Sequence, residues 1–345
     1  MQFIGFDVHK QSFSAAILDS ECGSMRRVRG PMTRDGLIDC LDFPGPKKAV
    51  FEAGRTWSLF YELVQDLVEE VQMAHPLKVR AIAEAKIKTD AVDAATLAQL
   101  LAADLIPPSH LRQQDNRAAQ QILRQRMYFV RLRTGLKNRI HVLIDRQWPE
   151  VRYCLSGLSD LFGKQGLKLL RTLPLGSRDR QLLDDMLLLY DQLTERIKAS
   201  FQRVKQLFED DVEAQNLETI PGLGVFLATL IRVEIDGIDR FKTAGKLCSY
   251  AGLTPRIHQS GQKRWTGRID KQGNRWLRWA LVEAVSPAVA NDAELRSLHQ
   301  RVKHRKGTHA ARMNTARRLL TIVYHILKEK RPYYHQSDRV AFVRP

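Results

Sequence analysis

Four carboxylates draw attention through where they fall in the chain. Asp7 closes the apolar run Phe3-Ile4-Gly5-Phe6, and Glu52 closes a second one, Lys48-Ala49-Val50-Phe51. Asp90 and Asp93 are three apart, which puts both on one face of a helix that contains them. Carboxylates at strand ends beside a helical pair suit Mg²⁺, which prefers oxygen ligands and keeps several waters. Two such ions about 4 Å apart clamp the attacking and leaving oxygens of a phosphoryl transfer. A plainer reading of the helical pair stands beside this one, with Asp90 capping its helix and Asp93 paired with Lys88 or a neighbouring cation.

A second group centres on Ser260. Serine before glycine is ordinary turn chemistry in a polar loop, but Arg256, His258, Lys263, Arg264 and Arg268 surround it, with Lys271 just beyond. Cations of that kind hold a scissile phosphate and lower the barrier to attack on it. No Ser/His/Asp triad is legible from the spacing. A third candidate is Ile220-Pro221-Gly222-Leu223-Gly224-Val225. A tight turn there, with Gly222 and Gly224 at a helix N-terminus, offers backbone N–H groups to a phosphate, the logic of a helix-hairpin-helix DNA element. Helix–helix corners use the same glycines for packing alone.

These residues need elements to position them. The first third reads as α/β. Residues 3–7 form a strand, Ser12–Leu18 its hairpin partner and 25–30 a third strand. A helix follows over Thr33–Leu41, then a strand over 48–52. Leu59, Leu63, Leu67 and Val71 predict a helix from Trp57 to Val71, Val79–Ile82 a strand, and Asp90–Leu101 a helix. Pro107-Pro108 closes this domain, since neither residue suits a helix interior. In the middle, Ile122, Phe129, Leu136 and Leu143 recur every seven residues. Beyond a glycine-rich turn, Leu183, Leu187, Tyr190, Thr194, Ile197, Phe201, Val204 and Phe208 keep the alternating spacing of a coiled-coil seam, which predicts an arm that also dimerises.

Charge divides the 345-residue chain along the same lines. Residues 1–108 carry a net −3, residues 109–216 a net +6, and residues 217–345 a net +14, making +17 in all. Such a gradient draws a polyanion to the C-terminal two-thirds and leaves the carboxylates to the N-terminal third. At 44% hydrophobic the chain can bury a core, which excludes wholesale disorder. No run of about 18 apolar residues appears, so no membrane partner is expected. Four scattered cysteines exclude a disulfide scaffold or zinc ribbon. The first residues run straight into strand-like sequence, and a cytoplasmic, nucleoid-associated protein is expected.

Seven segments in order carry a resemblance. They are Gly5-Phe6-Asp7, Glu52-Ala53-Gly54, Lys88-Thr89-Asp90-Ala91-Val92-Asp93-Ala94, Ile220-Pro221-Gly222-Leu223-Gly224, Gly252-Leu253-Thr254-Pro255, Ser260-Gly261 and Lys271-Gln272-Gly273-Asn274. From about residue 3 to residue 330 the chain resembles the DEDD transposases of the insertion-sequence one-ten family, the bridge-RNA-guided recombinases. The resemblance implies an α/β plus α fold: a RuvC-like, RNase H-type domain over 1–108, a helical coiled-coil arm over 109–216, and a mostly helical transposase domain over 217–345 with the helix-hairpin-helix-like element. It implies that Asp7, Glu52, Asp90 and Asp93 bind Mg²⁺, or Mn²⁺ in its place, and that Ser260 becomes joined to DNA during strand exchange. Nucleic acid would be held by Gly222, Gly224, Arg256, Lys263, Arg264, Arg268 and Lys271. The implied partners are donor and target DNA, a structured guide RNA from the same element, and further copies of the chain, as dimer to tetramer. Two readings compete: a metal-only, junction-resolvase-like nuclease in which water attacks, and a non-catalytic nucleic-acid-binding protein.

Overall fold

The computed structural model describes residues 1–83, 89–147, 151–155, 157–261, 263–269 and 272–333, without the side chains of Arg152, Ile257, His258, Ser260, Lys263, Arg264, Thr266 and Arg268. They fall into two units, Met1–Leu111 and Arg112–Pro345.

The first unit is built on a five-stranded mixed sheet of order β3-β2-β1-β4-β5. Strands β1 (Gln2–Val8), β2 (Ser12–Asp19) and β3 (Met25–Pro31) form an antiparallel meander, while β4 (Lys47–Glu52) and β5 (Glu70–Ala74) run parallel to β1. The period-two alternation of side chains splits the apolar residues between two faces. Ile4, Phe6, Phe13, Ala49 and Phe51 face one layer, where α1 (Arg34–Leu41) and α2 (Trp57–Val64) cover them. Phe60 of α2 packs against Phe6 and Phe51 at ring-centroid distances of 5.0 and 4.9 Å. On the other face lie Gly5 and Val50, under α3 (Pro76–Ile82) and α4 (Asp90–Ala102).

Two expectations for this unit are corrected. The helix expected over Trp57–Val71 ends at Val64, and Val71 belongs to β5. The four-residue spacing of Leu59, Leu63, Leu67 and Val71 is coincidental: Phe60 and Val64 are the buried residues of α2, and Leu59 is 48% exposed. Val79–Ile82, expected as a strand, lies in α3, where Pro76 at the first turn presets helical φ and only Val79 is buried.

In the second unit, α5 (Gln114–Arg146) and α8 (Ser177–Glu209) form an antiparallel hairpin, fixed by Gln147–Asp179 and Arg133–Thr194 hydrogen bonds of 2.8 and 3.3 Å. Leu183, Leu187, Tyr190, Ile197 and Val204 of the expected seam are buried, as are Leu136 and Leu143, whereas Ile122 and Phe129 are half-buried. Short helices α6 (Arg152–Leu155) and α7 (Lys164–Thr172) lie between the two long ones. Near its root the hairpin is part of a larger core: Ala119, Leu123, Met127 and Val204 pack with α9 (Val212–Glu218), α10 (Val225–Ile235), α11 (Ala244–Tyr250), α12 (Arg275–Asn291) and α13 (Ala293–Glu329). Between α11 and α12 stands a two-stranded hairpin of β6 (Pro255–Ser260) and β7 (Lys263–Ile269). The irregular polar loop expected around Ser260 is thus a pair of strands.

One buried acid ties this core together. Glu234 of α10 is fully buried and accepts hydrogen bonds from Arg112 (3.2 Å), Gln120 (3.2 Å), Arg124 (3.0 Å) and Asn274 (2.8 Å). Asn274 in turn caps α12, its Oδ1 accepting from the N–H groups of Trp276 and Leu277. Removing a partner from a buried ion pair leaves the other charge uncompensated, at a cost of about 3–5 kcal/mol. Glu234→Ala is therefore expected to destabilise the second unit by about that amount, read as a fall in the urea midpoint at unchanged slope. An exposed pair such as Lys198–Glu195 should give less than about 1 kcal/mol when broken by the same substitution.

Candidate active site

The register of β1 and β4 places the first two carboxylates. Gly5 pairs with Val50 and Phe6 with Phe51, so Asp7 and Glu52 are the next residues along two parallel neighbours. Alternation sets both on the face that α4 covers. They stand at the carboxyl ends of parallel strands, next to the place where open α/β sheets bind ligands.

Helix α4 brings the other two. It lies so close to β1 that a Cβ on Gly5 would fall on the carbonyl oxygen of Ala94 and 2.6 Å from the nitrogen of Ala98. Ala94, Ala95 and Ala98 are the small residues that permit this approach, and all are buried. The helix starts at a cap made by Thr89, whose Oγ1 accepts from the N–H of Val92 at 3.3 Å, so Thr89 and not Asp90 is the cap. Asp90 and Asp93 are then both in the first turn, where the helix dipole favours negative charge.

Asp7, Asp90 and one residue that sequence reasoning passed over converge. His9 Nε2 is 3.3 Å from Asp7 Oδ2 and 3.2 Å from Asp90 Oδ2, and a ligand atom from each of the three lies within 4.8 Å of the others. Its signal in the sequence is the i, i+2 spacing from Asp7 at a strand end, which keeps both on one side. Burial pushes the Asp7 carboxyl up from the ordinary carboxylate range, and the charges of Asp90 and Asp93 push the same way, partly offset by His9. Glu52 is exposed at the adjacent strand end and is not one of the three. Two carboxylates, an imidazole and a third acid close enough to be felt make a donor set that fits a divalent cation. Crowded like charges are the condition such a cation relieves.

The second constellation lies on the β6–β7 hairpin. Ser260 pairs with Lys263 across a turn that begins at Gly261, whose φ of +57° suits glycine. Arg256 is exposed on β6; Arg264 and Arg268 are on β7. Lys271 lies outside the described residues. Trp265, 53% exposed on β7, is an aromatic that the sequence reading left unassigned. Gly222 and Gly224 have separate surroundings. Gly222, at φ +92°, lies against α12, where a Cβ would come within 2.7 Å of Ala288 N and 2.8 Å of Ala284 O. Gly224 is exposed at the N-cap of α10 with open space around it.

Comparison with known proteins agrees with this geometry. A DEDD transposase family profile of the IS110 type matches residues 4–149, and the transposase IS116/IS110/IS902 family profile matches residues 214–300. Sheet, acidic cluster and both matches together define a DNA transposase of the DEDD class. The chain belongs to the IS110 family, whose members cut and rejoin DNA in transposition. It is 26% identical to the transposase for insertion sequence element IS1328 of Yersinia enterocolitica, over 81% of each chain. It is 28% identical to a 44.8-kDa protein of insertion element IS116 from Streptomyces clavuligerus, over 46% of this chain and 40% of that one. A pilin gene-inverting protein of Moraxella lacunata is 33% identical over 41% of this chain and 45% of its own.

The raised Asp7 pKa gives a test with a definite sign. The folded state holds the Asp7 proton more tightly than the unfolded chain does. That contribution to stability is complete below the unfolded pKa and is lost as pH rises through the folded one. Without added metal, Asp7→Asn should therefore melt above wild type at neutral pH, and the difference should vanish near pH 3, below the ordinary carboxylate value of about 3.9. Mg²⁺ should then raise the melting temperature of wild type and not of the variant. Equal responses to Mg²⁺ would detach Asp7 from the site.

Proposed function

We propose that this chain is a recombinase that excises and inserts a mobile element, with Ser260 as nucleophile and Mg²⁺ held by Asp7, Glu52, Asp90 and Asp93. The observation that carries the reading is the convergence of Asp7 and Asp90 at the carboxyl end of β1, within the electrostatic reach of Asp93, in a chain of a transposase family. His9 joins the donor set on its contacts with both aspartates. The bound cation would supply charge neutralisation at the phosphate and activation of the attacking oxygen.

A serine hydroxyl is a poor nucleophile at neutral pH and needs both forms of help. In the proposed step Ser260 Oγ attacks phosphorus, gives up its proton, and displaces one deoxyribose oxygen, which leaves with a proton. The phosphodiester is conserved as a phosphoserine–DNA bond, so attack by a new hydroxyl restores the strand without ATP. Arg256, Lys263, Arg264 and Arg268, distributed over both strands of the hairpin, would neutralise the phosphate, and Lys271 would follow them. Gly224 would present the N-terminus of α10 to a backbone phosphate, with Gly222 seating the turn on α12. The Moraxella lacunata relative is named for inverting a gene, a rearrangement that joins as well as cuts. Donor and target DNA, a structured guide RNA and further copies of the chain are the partners we assign by resemblance. The net +14 of residues 217–345 supplies charge to hold nucleic acid. No helix among the described residues is long and apolar enough to cross a membrane.

Ser260→Ala tests the reading at one atom. The variant should keep its melting temperature, since the loss of one hydroxyl beside a polar hairpin turn changes stability by about 0.5 kcal/mol or less. It should lose strand exchange and the denaturant-resistant protein–DNA species seen on electrophoresis with labelled DNA and guide RNA. Wild-type recombination by Ser260→Ala would remove the serine from the mechanism and favour water activated at the metal.

A further inference from the structure

The longest helical segment, α13, is not one rod. Gly307 has φ +82° and ψ 172°, outside any helix, and the chain reverses there. His299 Nδ1 lies 3.1 Å from Thr315 Oγ1, and Glu294 is bonded to Arg318 at 3.0 Å. Residues 16 and 24 apart in sequence can meet in this way only if limbs 293–306 and 308–329 run antiparallel. Val302 and Ala311 are buried where the limbs face each other, and the turn itself projects into solvent.

That turn is unusually charged. Residues 296–318 hold eight Lys or Arg and no Asp or Glu. Arg301, Lys303, Arg305, Lys306 and Arg312 crowd its tip, all exposed, and among the described residues none of the five is paired with a carboxylate. Other cations on helices of the unit do have acids beside them, as in Arg180–Asp184, Arg171–Asp191 and Lys198–Glu195. Here Arg301 and Arg305 stand four apart, a like-charge spacing that weakens a helix. Charge from both limbs converges, since Lys303 and Arg312 both act on His299 and, after burial, hold its pKa below the ordinary value. Repulsion maintained at an exposed tip is relieved by a polyanion. The segment 293–323 contains no Phe, Tyr or Trp, which leaves only the small rings of His299, His304 and His309 to stack on unpaired bases, against eight Lys or Arg suited to phosphates.

We infer that the α13 hairpin tip, centred on Gly307, is a sequence-independent clamp for the phosphate backbone of a nucleic-acid duplex. It uses no residue of the β6–β7 hairpin or of the carboxylate cluster, and it stands whether or not Ser260 is the nucleophile. Its binding test is run without Mg²⁺, so it can fail while the reading of the reaction survives, and the reverse.

The experiment compares the full chain with a variant carrying Arg301→Gln, Arg305→Gln, Lys306→Gln and Arg312→Gln, binding short duplex DNA, duplex RNA and single-stranded DNA across a salt series. For duplex DNA, each phosphate contact contributes about 0.9 to the slope of log affinity against log salt, so the variant's slope should flatten by about 3 to 4. Its affinity at moderate salt should fall on the order of tenfold or more. Single-strand binding should change far less. A second variant, Arg301→Lys, Arg305→Lys, Lys306→Arg and Arg312→Lys, keeps the charge and should keep the slope, and melting curves of both should match wild type. Loss confined to duplex DNA, or to duplex RNA, assigns which duplex is clamped. An unchanged duplex slope in the glutamine variant, or an equal loss on single strands, overturns the proposal.

Discussion

Everything at the candidate site depends on the contact between α4 and the backbone of β1. A helix ordinarily stands off a sheet by the length of the side chains between them. At Gly5 there is no side chain, and opposite it the helix offers the backbone of Ala94 and Ala98 with the Cβ of Leu97 alongside, so backbone meets backbone. This near approach drops the first turn of α4 onto the carboxyl end of β1, and Asp90 comes to share His9 with Asp7. The acids are therefore held by packing that involves none of them. The energy that crowds their charges comes from the apolar layers on both faces of the sheet, where Val50, Leu97 and Leu101 on one side and Phe6, Phe51 and Phe60 on the other are almost wholly buried.

The second unit solves a different problem, which is to join helices of unequal length into one body. Its answer is polar. Glu234 gathers donors from α10's neighbours at three points of the sequence, Arg112, Gln120 with Arg124, and Asn274, and Asn274 passes the connection on to the start of α12. Nonpolar packing could hold these helices together in several rotations about their axes. A buried carboxylate with fixed donors admits one, because each alternative strands a charge.

Much of the site could be read from the sequence, for reasons that are local. Asp7 and Glu52 end runs whose apolar residues are consecutive, the mark of strands covered on both faces, and such strands put their last residues at an edge. Asp90 and Asp93 follow Thr89, a good cap, at a helical spacing. What escaped was set by partners far along the chain. Val71 reads as the end of a helix until β4 claims it as a strand neighbour at Ala49. Val79 reads as a strand because two β-branched residues and their flanks outweigh one Pro at position 76. His9 carries no signal of its own until the first turn of α4 brings Asp90 within 3.2 Å of it. The reversal at Gly307 is hidden in the sequence because the polar stretches on both sides read as helix, and it shows only in the Gly307 dihedrals and in the His299–Thr315 and Glu294–Arg318 contacts.

The long hairpin of α5 and α8 has one more consequence. Its seam is apolar near the root, around Leu123 and Val204, and again further out, around Ile140 and Leu187. Between these lie Arg126, stacked on Phe226 at 4.3 Å, the Arg133–Thr194 hydrogen bond, and buried Ser200. Ile197 is buried within this stretch, so these polar groups thin the seam without breaking it and leave its apolar contacts in two clusters. The outer cluster shares no buried residue with the inner one. None of the donors of the Glu234 network belongs to the outer cluster, so a substitution that loosens the far end of the arm leaves every bond of that network in place.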